Sequence, residues 1–358
     1  MEVYALIVVN YGTDIVKTTY DALEASDITS YLNKAFSVSI KPNLVVSRPA
    51  DGGATTHPEV VEGIIRYIKD FGVSKIKIIE GSWVGDSTKR AYKNCGYEEL
   101  SKRYSIELID LKTDRHTTLN MGGYSIEVCK EAIDTDFLID VPVLKAHCQT
   151  RFTCCLKNLK GCITDREKRR FHSLGLHKPI AALGALIKIG YCVVDGICGD
   201  LSFEEGGTPV VANRIIAGRD PLLVDSFCAG LIGYRPEEID HLVYSRELGT
   251  GDFFTDKTRL IELNTQDKPL SVAKERRFAD RFNGFVHEDA ACSACYSALI
   301  FALHRLGRGF SPDGNIHIGQ GFKDKTGAGI GVGNCAMGFD DCVPGCPPSA
   351  ADIIDALK

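Results

Sequence analysis

Apolar and polar positions alternate along the first two-thirds of the chain in two rhythms. Phe36-Ser37-Val38-Ser39-Ile40 has the two-residue period of a strand. Val60, Val61, Ile64, Ile65, Ile68 and Phe71 instead form one stripe at helical spacing; Pro58 suits the first turn and Gly72 stops the helix. Lys75-Ile76-Lys77-Ile78-Ile79 predicts the next strand, and Phe137 to Val141 and Tyr191 to Val194 predict buried ones. Asp220-Pro221 predicts a helix running to Leu231, with Asp220 as its cap. Met1 to Val9 carries an acidic residue, no basic one and no following cleavage site, so it predicts a first strand rather than a signal peptide. This strand–helix alternation predicts an α/β fold: a mostly parallel sheet with helices on both faces.

The rhythm divides the chain. Residues 1–245 are expected to form the α/β domain, 246–290 a connecting segment, and 291–358 a small cysteine-rich segment. Within the connection, Lys257 to Asn264 reads as an edge strand and Lys274-Glu275-Arg276-Arg277 as a solvated surface. Tyr296 to Leu306 and Ser349 to Leu357 predict helices. The glycine-rich stretch Gly327 to Gly333 reads either as backbone approaching a cluster or as a flexible surface loop.

Cysteine spacing changes the picture most. Cys292-Ser293-Ala294-Cys295 is followed by Cys335, Cys342 and Cys346, the last opening Cys-Pro-Pro. A C-x2-C pair with distant cysteines, one of them before proline, is a ligand pattern for iron–sulfur clusters. Zinc would use the same thiolates, and a disulfide pair is the plain alternative. Cys292, Cys295, Cys335 and Cys346 are the expected ligands of a 4Fe–4S cluster. Cys342 competes for the fourth position, but the acidic Asp340-Asp341 beside it disfavours a thiolate. Cys148, Cys154, Cys155 and Cys162 offer a second metal centre, but their spacing matches no recognisable ligand pattern, and they read rather as packed small side chains, one of them open to reaction.

Composition adds exclusions. The net charge of −5 argues against nucleic acid as a partner. No apolar run approaches the roughly 18 residues of a membrane span. A cytoplasmic chain with 14 cysteines keeps its thiols reduced, and an anaerobic host suits it. With no Gly-x-Gly-x-x-Gly after a strand and no Walker lysine loop, no tightly bound nicotinamide or nucleoside triphosphate is expected.

Polar residues cluster directly after the predicted strands, where open α/β sheets bind ligands. Lys41 and Asn43 follow the second strand, and His57 precedes the helix whose free N–H groups suit an anion. Glu80 and Asp195 each end a predicted strand. Lys145 and His147 are two apart, so an extended chain points them the same way; Lys157 and Asn158 follow closely. Their combined positive field would attract an acidic substrate and lower a lysine or histidine pKa. Lys145, His147 and Lys157 are therefore the catalytic candidates, and Lys41, Asn43, His57, Asn158, Glu80 and Asp195 the substrate-binding ones.

Lys41-Pro42-Asn43, Thr56-His57-Pro58, Leu144-Lys145-Ala146-His147, Lys157-Asn158-Leu159-Lys160-Gly161, Asp195-Gly196 and Asp220-Pro221…Asp225 occur in an order and at a spacing that closely resemble the family called domain of unknown function 362, the iron–sulfur centre proteins. The resemblance covers about residues 36–240 and implies the α/β fold and a cluster, but no reaction. Many members carry a contiguous C-x2-C-x2-C-x3-C-P run; the spread arrangement here argues against a ferredoxin fold at the C-terminus. The amino-terminal pattern is also distantly similar to the architecture of nickel-pincer lactate racemases.

Three functions compete. The first is a redox enzyme whose cluster serves a small anionic substrate held by Lys41, Lys145, Lys157 and Asn158, with His147 moving protons. The second is a non-redox lyase or isomerase with a structural or Lewis-acid cluster. The third is an electron-transfer protein without its own catalysis. The expected setting is a homo-oligomer, with ferredoxin or flavodoxin as electron donor and no membrane partner.

Overall fold

A computed structural model describes residues 5–147, 149–200, 209–269, 281–307 and 309–358. In chain order its first strands are β1 (Leu6–Tyr11), β2 (Ser37–Pro42), β3 (Lys75–Glu80), β4 (Glu107–Asp110), β5 (His116–Met121), β6 (Tyr124–Cys129) and β7 (Phe137–Val141). There follow β8 (Lys145–His147), β9 (Arg151–Thr153), β10 (Tyr191–Asp200), β11 (Pro209–Gly218) and β12 (Arg259–Leu263). Last come β13 (Val286–Glu288), β14 (Ile316–Ile318), β15 (Gly327–Val332) and β16 (Phe339–Val343).

The main sheet has eight strands in the order β12-β1-β11-β10-β7-β2-β3-β4. β10, β7, β2, β3 and β4 pair in parallel, so their carboxyl ends share one edge. β11 is antiparallel to β10 and β1, and β12 closes the far edge parallel to β1. Side chains alternate between two buried layers: Ile7 and Val9 enter one hydrophobic cluster and Val8 the other. The helix Pro58–Phe71 covers one face with Val60, Val61, Ile64, Ile65 and Ile68. Helices His177–Leu186 and Pro221–Leu231 cover the other.

Two glycine-bearing stretches behave differently from their sequence reading. β10 continues through Asp195 to Asp200, so Asp195 lies within a strand rather than at its end. Gly196 pairs with Arg214 of β11, where an added Cβ would lie 3.0 Å from the Arg214 carbonyl oxygen. The glycine marks a close strand approach, not a turn. Likewise Gly327 to Val332 is not a loop but β15, inside a parallel sheet ordered β13-β14-β15-β16. A Cβ on Gly331 would collide with the Ala336 carbonyl, so only glycine admits that contact. Helices Ser293–Leu306 and Ala350–Ala356 cover this second sheet and share a separate core with Ile316, Ile318, Val332 and Val343. The charged run at 274–277, Gly206, Gly207 and Cys148 lie outside the described residues.

Candidate functional site

The carboxyl edge of the parallel strands gathers charge in the core. Lys41 and Asp140 stand opposite each other in the ladder between β2 and β7. Both are fully buried, and Glu80 at the end of β3 is 3% exposed. Lys41 Nζ donates to Glu80 Oε2 at 2.7 Å, to Asn158 Oδ1 at 3.1 Å and to the Pro42 carbonyl at 3.0 Å. Asn158 Nδ2 in turn donates to Asp140 Oδ1 at 2.8 Å. Burial opposes the charge of Lys41, but Glu80, Cys162 and Asp140 raise its pKa above the ordinary lysine value. Burial pushes the Asp140 carboxyl up to about 8, against the pull of Lys41. Gly161 sits against this pair so closely that a Cβ there would lie 2.8 Å from Lys41 Nζ and would collide with Glu80 Oε1.

A second polar group lies beside it. Lys145 Nζ donates to the Ala54 carbonyl at 2.7 Å and contacts Asn43 Oδ1 at 3.4 Å. Thr56 does not cap the next helix; it takes a bond from the Asn43 N–H and donates to the Val141 carbonyl, fastening the loop to β7. His57 occupies the N-cap position without a side-chain cap bond. Its Nδ1 instead donates to Asp195 Oδ2 at 2.8 Å, and its backbone N–H reaches the same oxygen. Burial lowers the His57 pKa, but the Asp195 charge outweighs it and leaves the value raised. His147 ends the short strand β8; the N–H groups of Gln149 and Thr150 donate to its Nδ1 at 3.1 and 3.0 Å. In the neutral ring that geometry puts the proton on Nε2.

A cavity of about 900 Å³ opens between this edge and the cysteine-rich segment. One wall carries Asn43, Glu80, Lys157 and Asn158, with Lys160, Lys168 and His172 beyond them. The facing wall carries Cys292, Cys295 and Cys346. Lys41 lies directly behind Glu80 and Asn158, and Lys145 behind Asn43. Lys145, His147, His57 and Asp195 are therefore set back from the cavity lining.

The thiols form one electrostatic group. Burial raises the pKa of Cys295 to about 12, and the neighbouring Cys292, Cys346 and Cys335 add to the rise. Burial also raises Cys292, with Cys335 and Cys346 contributing. Cys342 and Cys346 are both exposed, and of the two it is Cys346 that lines the cavity with Cys292 and Cys295. Four thiols so placed repel one another as thiolates and can ionise together only around a cation. Gly333 turns beside them with φ +88°, and its added Cβ would stand 3.7 Å from Cys295 Sγ. The donor set and the cradle fit a metal or cluster of soft character. Cys292 Sγ also contacts the His172 carbonyl at 3.5 Å and takes a bond from Gln320 Nε2 at 3.4 Å, joining the two walls.

Sequence reasoning missed several members of this site. Lys168 lines the cavity and donates to the Gly81 and Ser82 carbonyls at 3.0 and 2.9 Å; burial lowers its pKa. Its helix, Asp165–Ser173, reads as polar throughout, which hides the face that packs. Asp140 carried a usable signal: a carboxylate amid Phe137-Leu138-Ile139 must find partners when buried. Cys154, Cys155 and Cys162 are buried in the core as packed side chains. Two groups of ligating atoms there, Asp140 with Cys155 and Cys192, and Cys154 with Cys155 and Asp225, lie within 4.8 Å and could hold a metal ion.

A thylakoid-associated protein of Synechocystis sp. is 26% identical over 239 residues, covering 67% of this chain and 67% of that protein. The lactate racemase apoprotein from Thermoanaerobacterium thermosaccharolyticum overlays with a TM-score of 0.39 and 13% identity, covering 67% of this chain and 56% of that one. A Thermotoga maritima protein gives a TM-score of 0.39 and 14% identity, covering 66% of this chain and 60% of that one. The chain thus spans less than two-thirds of both solved structures. Residues 38–230, more than half of the chain, match a family model, and the protein belongs to that family, the domain of unknown function DUF362.

Proposed function

We propose that this is an iron–sulfur redox enzyme. Cys292, Cys295, Cys335 and Cys346 would hold a 4Fe–4S cluster, and a small anionic substrate would bind in the adjoining cavity. One observation carries the reading: three of the four thiols and the Lys157–Asn158–Glu80 wall line the same space. When bound, the cluster supplies or accepts one electron at a time.

The chain's own residues then have separable tasks. Lys157 and Lys160 give the cavity a positive field that favours a carboxylate or phosphate. The Lys41–Glu80 pair is neutral as a whole and holds Asn158 by two bonds, so Asn158 enters the cavity already oriented. Lys145 does the same for Asn43 and acts as a positioning residue. Lys168, lowered by burial, is a proton donor on the cavity wall. His147 lies one layer back, where it orders the turn after β8. We place the enzyme in the cytoplasm with a ferredoxin or flavodoxin as donor. Among the described residues no helix is long and apolar enough to cross a membrane.

Anaerobic purification with iron and sulfide analysis tests the cluster. We expect about four iron and four sulfide per chain. Cys346→Ala should lose the iron and Cys342→Ala should keep it, because Cys346 lines the cavity with Cys292 and Cys295. Iron-free protein, or the reverse pattern, overturns the assignment. Lys157→Ala should weaken anion binding at least tenfold while leaving the iron content unchanged; loss of both would make Lys157 part of the scaffold.

A further inference from the structure

The wall of the cavity is backed by a second, closed donor set that the cluster does not use. Asp140, Cys155 and Cys192 come from β7, from the helix Cys155–Asn158 and from β10. All three are fully buried. One carboxylate oxygen and the two sulfurs lie within 4.8 Å of one another. Asp140 Oδ1 is occupied by Asn158, but Oδ2 is buried and has no hydrogen-bond partner among the described residues. Such an oxygen in the core has given up its hydration for nothing unless it meets a proton or a cation.

The neighbouring set is different. Asp225 accepts the N–H of Cys155 on Oδ1 at 2.7 Å and that of Leu156 on Oδ2 at 3.0 Å. Both of its oxygens already cap the helix, so it has no comparable vacancy. The open valence belongs to Asp140.

We propose that Asp140, Cys155 and Cys192 bind a structural zinc ion in the core directly beneath the cavity wall. Two thiolates and a carboxylate match zinc, which takes sulfur and oxygen ligands in a closed tetrahedral site. Cys154 Sγ, 3.9 Å from Cys155 Sγ, is the sulfur in reach of the fourth position. The ion sets the charge of the wall: +2 against one carboxylate and two thiolates leaves −1, and −2 once Cys154 closes the site as a thiolate, beside the protonated Lys41. It also ties β7, β10 and the helix bearing Lys157 and Asn158 to one point, which fixes the wall by coordination as well as by packing.

Metal analysis of the whole chain, purified anaerobically and dialysed against a chelator, tests this apart from the cluster. We expect one zinc per chain in addition to iron. Cys292→Ala should lose iron and keep the zinc. Cys192→Ser and Asp140→Asn should lose zinc and keep iron. Zinc absorption-edge spectroscopy of the wild type should show mixed sulfur and oxygen ligation, which decides the matter even if the core variants fail to fold. Wild-type protein with full iron and no zinc overturns the proposal. So does zinc that disappears with Cys292→Ala, which would place it at the C-terminal thiols. Absence of iron with retained core zinc would instead sink the iron–sulfur reading alone.

Discussion

The buried ion pair is where single residues matter most. Removing one partner of a buried pair leaves an uncompensated charge, at a cost of about 3–5 kcal/mol. Lys41→Met should therefore destabilise strongly, since Glu80 is 3% exposed and holds Lys41 at 2.7 Å. Adding Glu80→Gln should recover part of that loss in chemical denaturation. A single variant as stable as the wild type would show that the pair is not charged. Gly161→Ala tests the same contact by sterics, because its Cβ would meet both partners. Overpacking of this kind costs about 1–3 kcal/mol. The His57–Asp195 pair has a pH signature. His57 is raised, so its contribution is complete below the ordinary histidine value of about 6.5 and is lost as pH rises through the raised folded value. Asp195→Asn should flatten the dependence of stability on pH in that window; an unchanged slope would refute the pairing.

At the scale of elements, local punctuation decides how much a sequence reveals. Pro58 and Gly72 bound the helix Pro58–Phe71, and Gly72 adopts φ +109° with its N–H on the Ile68 and Lys69 carbonyls. Asp220 caps its helix through the Leu222 and Leu223 N–H groups at 2.8 and 3.1 Å. Asp220→Ala should cost about 0.5–2 kcal/mol in thermal or chemical unfolding, the usual loss of a cap. Both helices were legible because proline, glycine and aspartate act on the backbone within one turn. The edge strand Arg259–Leu263 was legible as well. The extension of β10 past Gly196 and the strand Gly327–Val332 were not. A glycine that loosens a loop and one that admits a neighbouring backbone look the same until the neighbour, Arg214 or Ala336, is in place. The site divides along the same line. Residues after buried strands were readable as a polar edge, whereas the depth of each was not: only the turn after β8 sets His147 behind the wall that Lys157 reaches.

Across the whole molecule, two sheets meet at one cavity. The second sheet has its own hydrophobic cluster, from Phe282 to Leu357, distinct from the two that sandwich the main sheet. Its described polar links to the main body at the cavity run from Cys292 and Gln320 to the His172 carbonyl, at 3.5 Å each. A group bound by Cys292 at the cap of the helix Ser293–Leu306, by Cys295 in its first turn, by Cys335 and by Cys346 would join distant parts of this small segment, and metal binding there is coupled to local folding. Its loss should therefore loosen the segment and spare the main sheet. Hydrogen exchange after Cys295→Ala should speed up in β15, β16 and the helix Ser293–Leu306. Amides of β2 and β7, held in the eight-stranded sheet, should exchange as before. Equal acceleration in both sheets would mean that they fold as one cooperative unit, and no acceleration at all would mean that the thiols contribute nothing to the segment's order.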